Sequence, residues 1–157
     1  GELGGFWADN GGSIVVGEDV NGYQKIVDAS ISALQKAIAA VKSGVKIADI
    51  GGIIEKEAKK HHYHVIENLT GHGVGRSLHE EPLDLMNFRD PDDKRRFRKN
   101  SVIALETFIS ENSYEAIEQA DGWTMIGNAP GVFAQHEHTV LVTSEGPMIL
   151  THMNGNW

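Results

Sequence analysis

Val102-Ile103-Ala104-Leu105-Glu106-Thr107-Phe108-Ile109 sets one carboxylate inside an almost wholly apolar run. Such a run, rich in β-branched and aromatic side chains, reads as a buried strand. An ionised Glu106 is costly there unless a cation or strong donors meet it. A salt bridge to Arg or Lys is the ordinary answer and a metal ion the other. The conflict recurs in Gln135-His136-Glu137-His138-Thr139, followed by Val140-Leu141-Val142. On a strand, His136 and His138 share one face while Glu137 points to the other. Either Glu137 looks into a site or the His-x-His pair does, and an inward Glu137 matches the buried Glu106 better.

Working outward, Trp123 to Ile126, Val132 to Val142 and Pro147 to Thr151 complete a run of strands. Upstream, Val27, Ile31, Leu34, Ile38 and Val41 recur at helical spacing, and Ser43-Gly44 ends that helix. Ile47, Ile50, Ile54 and Ala58 mark a second helix with Glu55, Lys56, Lys59 and Lys60 outward. At the front, Phe6 to Ala8 and Ser13 to Val16 read as two strands joined by Asp9-Asn10-Gly11-Gly12. Grouped helices and successive strands give an α+β class: a curved, mainly antiparallel sheet with two helices on one face.

The 157 residues, 40% apolar and 23% charged, fit one domain, residues 1–157, with a sizeable core. No cysteine is present, so any metal must be held by His and carboxylates, which suits Co, Mn, Fe or Zn. A net charge of −8 speaks against a nucleic-acid partner, and Lys94-Arg95-Arg96-Phe97-Arg98-Lys99 reads as a solvated loop balanced by Asp90, Asp92 and Asp93. No apolar run approaches the roughly 20 residues that span a membrane. The chain opens at Gly1 rather than Met, which leaves a leader open.

Three further places carry chemistry-bearing residues. Gly71-His72-Gly73-Val74-Gly75 reads as a glycine-rich loop around one histidine, without the spacing of a dinucleotide loop or the lysine of a phosphate loop. His79-Glu80-Glu81-Pro82 lacks the second histidine of the zinc-helix motif, and Pro82 favours a loop or strand edge. Asp9 has turn-forming neighbours in Asn10-Gly11-Gly12. Singly, each has an ordinary structural reading. Together, one histidine and several carboxylates on one sheet make a plausible site for one or two divalent ions, which is hydrolase chemistry.

These motifs, in this order, resemble those of the type I (bacterial-type) methionine aminopeptidases. That family shares the pita-bread fold with creatinase and the Xaa-Pro peptidases. The resemblance runs from Phe6-Trp7-Ala8-Asp9 to about Thr151, anchored by Gly71 to Gly75, His79 to Pro82, Leu105-Glu106, Asp121-Gly122-Trp123 and Ala134 to Thr139. It implies that Asp9 and Glu137 bridge two metals, that His72 is the single histidine ligand, and that Glu106 is a terminal ligand that also handles a proton. His79 then contacts the scissile peptide, and Trp123 and Leu78 line the methionine pocket. The implied activity is cytoplasmic removal of N-terminal methionine from proteins and peptides by metal-activated water, with no membrane partner.

Two departures qualify that expectation. Thr107 stands where the family often has Pro. The family's further metal-binding Asp matches a position before Gly1, as does its N-terminal half. The sequence is therefore expected to form the C-terminal part of a pita-bread domain, with one complete metal site and one incomplete, and to associate with the other half or with itself. The alternatives are an Xaa-Pro peptidase and a non-catalytic pita-bread module that binds peptides or proteins.

Overall fold

The computed structural model of the chain describes residues 1–152. A short hairpin, β1 (Glu2–Leu3) and β2 (Phe6–Trp7), turns through Gly4 and Gly5 at φ of 61° and 81°. That left-handed conformation costs glycine nothing extra. Helix α1 (Gln24–Ala40) follows, its first turn held by Asp19, whose carboxylate accepts the N–H groups of Tyr23 and Gln24 at 2.7 and 2.9 Å. Helix α2 (Ile47–Lys60) begins after a turn through Gly44. The strands are β3 (His64–Val65), β4 (Gly71–Gly73), β5 (Glu80–Leu85), β6 (Val102–Ser110), β7 (Ala116–Glu118), β8 (Met125–Gly127), β9 (Phe133–Val142) and β10 (Pro147–Ile149).

Six strands form the main sheet in the order β10-β9-β6-β4-β5, with β3 also paired to β6. Every pairing is antiparallel, as the α+β reading expects. Strands β6 and β9 pair along nearly their whole length, from Val102 opposite Leu141 to Ser110 opposite Phe133. Because side chains alternate, Ile103, Leu105, Thr107 and Ile109 face one way, with His136, His138 and Val140 opposite them. That face is the core: Ile103, Leu105, Ile109 and Val140 cluster with Ile26, Leu34 and Ile38 of α1 and with Ile50 and Ile54 of α2. The other face of the same two strands carries Glu106 and Glu137.

Several elements differ from the sequence reading, each for a local reason. Gly71 to Gly73 is a strand and not a loop. Its glycines are needed because a Cβ at Gly71 would lie 2.6 Å from the Ala104 carbonyl oxygen, and one at Gly73 2.4 Å from that of Glu81. Ser13 to Val16 is not a ladder strand: the Ser13 hydroxyl donates to the Gln135 carbonyl at 3.0 Å and accepts from its N–H at 2.9 Å, replacing backbone pairing. Trp123 lies in the turn before β8, where Asp121 accepts the N–H groups of Trp123 and Thr124 at 3.0 and 2.8 Å. In the basic segment, Arg95 pairs with Asp84 at 2.5 Å and Asp93 at 2.9 Å while Phe97 is buried, so charge balance is reached through folding neighbours.

Helix α2 also carries a buried ion cluster. Glu57 meets Lys36 at 2.5 Å, His61 at 3.1 Å and Lys60 at 3.3 Å, and accepts from Ser32 at 2.9 Å. Burial alone would raise its pKa; Lys36 foremost, with the other donors, outweighs that and brings it to about 2.

Neighbouring glycines of α2 predict opposite responses to alanine. A Cβ at Gly51 would lie 2.2 Å from the Phe88 carbonyl oxygen, whereas one at Gly52 meets only the Arg89 side chain at 3.2 Å. Gly51→Ala should cost about 1–3 kcal/mol or more. Gly52→Ala should be neutral or gain up to ~1 kcal/mol, since glycine is a poor helix former. Urea denaturation of both variants checks the pair, and equal effects would contradict the packing described.

Candidate metal centre

The sheet face away from the helices gathers acidic side chains through its register. Glu106 and Glu137 are direct partners across β6 and β9, and His72 on β4 pairs with Ala104, one step along the same face from Glu106. Like charges directly opposite are unfavourable, and these two sit on buried backbone. Glu106, Glu137 and His72 are only 7%, 5% and 4% exposed.

Asp9 arrives from outside the sheet. Residues 9 to 13 run along the free edge of β9, with Gly11 bridged to Glu137: Glu137 N–H donates to the Gly11 carbonyl at 2.9 Å. The Thr139 hydroxyl accepts Asp9 N–H at 2.8 Å and donates to the Asp9 carbonyl at 2.7 Å. The segment passes close to Gln135 here: a Cβ at Gly11 would lie 2.5 Å from Gln135 Oε1 and would displace that side chain. With the segment so placed, Asp9, His72 and Glu137 each offer a ligand atom, all within 4.8 Å of one another. Glu106 stands beside them, its Oε1 3.8 Å from His72 Nε2, too far for a hydrogen bond.

The histidine is preset for a cation. His72 Nδ1 lies 2.9 Å from the Gly73 carbonyl oxygen, which can only accept, so Nδ1 carries the proton. That leaves Nε2 as the nitrogen turned to the cluster, as in metal-binding histidines, whose other ring nitrogen commonly donates to a carbonyl.

Electrostatics point the same way. Burial foremost, then the charge of Glu137 and to a lesser degree Asp9, pushes the Glu106 carboxyl up to about 8, against the donor effect of Gln135. Burial and then Asp9 push Glu137 up to about 7. The Gln135 amide donates to both, at 3.1 Å to Glu137 and 3.4 Å to Glu106. Yet Glu137 Oε1 is buried with no hydrogen-bond partner among the described residues. A buried acceptor of that kind calls for a donor or a cation. The donor set, one imidazole and three carboxylates, fits a borderline divalent ion.

The remaining expected residues lie around this cluster. His79 is exposed, with its ring centroid 4.0 Å from that of His72. Leu78 is half-buried in the same loop. Trp123 is 88% exposed at the tip of the β7–β8 hairpin and is not brought to the cluster. His136 and His138 face the helices: Nδ1 of His136 lies 2.9 Å from the Ser30 hydroxyl, and Nδ1 of His138 lies 2.9 Å from that of Thr151. Gln135 and Thr139 were missed as site residues, although period-two alternation from Glu137 puts both on its face.

Comparison with known proteins follows the same lines. Methionine aminopeptidase from Thermotoga maritima superposes with a TM-score of 0.89 at 32% identity, covering 96% of this chain and 60% of that one. Prolidase from Pyrococcus furiosus gives 0.72 at 25% identity, covering 96% and 39%. The fold is that of the pita-bread metallopeptidases. The chain belongs to metallopeptidase family M24, whose pattern matches residues 1–144. Among curated relatives, methionine aminopeptidase 2 of Bacillus subtilis is 41% identical over 152 residues. Those residues are 97% of this chain but 61% of that protein, so the chain spans less than two thirds of its relative's length.

The raised carboxyls fix the sign of a pH dependence. Both groups bind a proton more tightly when folded than at their ordinary value of 4.5. Folding therefore takes up protons between that value and about 8, and stability is full below the window and lost as pH rises through it. With a chelator present, the melting temperature should fall from pH about 5 to about 8. Glu106→Gln should flatten the fall, and excess Mn(II) should reverse it. Stability rising across that window without metal would contradict the electrostatic account.

Proposed function

We propose that the protein is a metalloaminopeptidase that removes N-terminal methionine from proteins and peptides. One observation carries the reading: two buried, mutually repelling glutamates converge with His72 and Asp9 on one sheet face of an M24 chain. The higher identity to methionine aminopeptidases than to the prolidase supports methionine release over Xaa-Pro cleavage. Retention of Asp9, His72, Glu106 and Glu137 supports catalysis over a binding-only role. On this reading residues 1–157 supply the C-terminal part of a pita-bread domain. The exposed Leu3, Ile14, Val16 and Val20 form apolar surface open to its remaining part or to a second copy. Among the described residues no helix is long and apolar enough to cross a membrane. The proposed setting is the cytoplasm, where nascent chains present their N-termini.

In this mechanism Asp9, His72, Glu106 and Glu137 would hold a divalent cation of the Co, Mn, Fe or Zn kind. When bound, the cation supplies a water of lowered pKa and polarises the scissile carbonyl. Glu106, in its apolar strand and beside Gln135, is the carboxyl placed to take and return a proton. His79, packed on His72 at the exposed rim, donates to the peptide oxygen as charge develops there. Leu78, beside His79, and Trp123 are the residues this reading assigns to the methionine side chain.

Parallel assays of the intact protein on Met-Ala-Ser and on an Xaa-Pro dipeptide test this reading. Methionine release that a chelator abolishes and Co(II) or Mn(II) restores is expected, with little Xaa-Pro cleavage. His79→Ala should lower kcat by ~10²–10³-fold with KM little changed, since it removes a transition-state donor. Preference for the Xaa-Pro substrate, or chelator-resistant turnover, would overturn the assignment.

A further inference from the structure

Strand β6, which carries Glu106, is paired on its β9 side throughout but only at its two ends on the other side. Strand β4 pairs with Ile103 and Ala104, and β3 pairs with Ile109 and Ser110. Between these lies a stretch whose backbone needs another partner. Asn87, which follows β5 and is completely buried, supplies it. Its amide NH2 donates to the Glu106 carbonyl at 3.2 Å, and its Oδ1 accepts Phe108 N–H at 3.0 Å. One side chain thus stands in for a missing strand residue, on the two backbone groups that flank Thr107, beginning at Glu106 itself.

The seat of Asn87 is itself built. Residues 86 to 88 pass so close to α2 that only glycine fits at position 51, where a Cβ would lie 2.5 Å from the Met86 oxygen and 2.2 Å from that of Phe88. Helix α2 therefore fixes the depth of Asn87, and Asn87 fixes the backbone of Glu106. On the far side Glu106 is set by its register with Glu137 and by the 3.4 Å contact from Gln135.

Resting on the metal-centre reading above, we infer that Asn87 is a positioning residue. It holds the Glu106 backbone at the height that brings its carboxylate onto the cation shared with His72 and Glu137. A leucine or alanine there would leave the Glu106 carbonyl and Phe108 N–H buried and unpaired, and β6 would shift to find other partners. Outer partners of this kind commonly change metal affinity or activity by ~10–100-fold when removed.

The test compares Asn87→Ala with Leu34→Ala, a core substitution on α1 on the helix side of the sheet, in the intact protein. Melting temperature, calorimetric Co(II) affinity and the visible absorption of the Co(II) form are read for each. Asn87→Ala is expected to weaken Co(II) binding by ~10–100-fold and to shift the Co(II) spectrum. Leu34→Ala should lower the melting temperature with affinity and spectrum unchanged. If Asn87→Ala fails to fold, Asn87→Asp takes its place; it keeps the acceptor for Phe108 N–H, loses the donor to Glu106, and should show the same two changes. Wild-type affinity and spectrum in a folded Asn87 variant, or equal changes in Leu34→Ala, would overturn the inference while leaving the metal centre intact. Absence of Co(II) binding by the unsubstituted protein would instead overturn the metal-centre reading, and this inference with it.

Discussion

Glu106 and Glu137 face each other directly across the two longest strands, and everything else at this site responds to that opposition. Two buried carboxylates in register resist ionisation: burial and then the charge of Glu137 hold Glu106 above the ordinary range, and burial and then Asp9 hold Glu137 there. A sheet tolerates such a pair only where something of opposite charge, or a proton, compensates. Gln135 answers part of the demand with one amide, and Glu137 Oε1 is still left over. His72 and Asp9 add ligand atoms and, in Asp9, further negative charge. The arrangement is a poor salt-bridge site and a good cation site.

The same strands meet a second demand on their other face. Alternation sends Ile103, Leu105 and Ile109 into the helix-packed core, so the residues that fold the sheet and those that build the cluster are interleaved one by one. Ser30 of α1 joins the Thr107 hydroxyl at 2.8 Å and His136 Nδ1 at 2.9 Å, tying the residues next to both glutamates to the helix beneath. Precision at the site follows from placing ligands on buried strands, with only Asp9 delivered by an edge segment. The glycines serve this geometry: Gly71 and Gly73 let β4 fit between β6 and β5, and Gly11 leaves the Gln135 side chain its place beside the Asp9 segment.

Much of this was legible in the residues. A glutamate in an apolar strand is a local contradiction, and period-two alternation separated Glu137 from His136 and His138 without any structure. The helices followed from spacing alone. What could not be read locally was register, which decides that Glu106 meets Glu137 and that His72 lies one step away; it depends on long-range pairing. The Gly71 to Gly73 strand was hidden because glycines forced by close backbone approach look like glycines that make a turn. Asn87 was invisible for a related reason: a side chain that replaces a strand partner carries no periodic mark. Buried Glu57 escaped because its compensation comes from Lys36 on another helix.

The account stands or falls on where a cation goes. The direct measurement is an anomalous difference map from crystals of the intact protein soaked in Co(II). A peak is predicted at about 2.0–2.2 Å from His72 Nε2 and from carboxylate oxygens of Glu106 and Glu137, with Asp9 contributing. A peak seated instead on His136 and His138, or an empty cluster in crystals that bind Co(II) elsewhere, would contradict it.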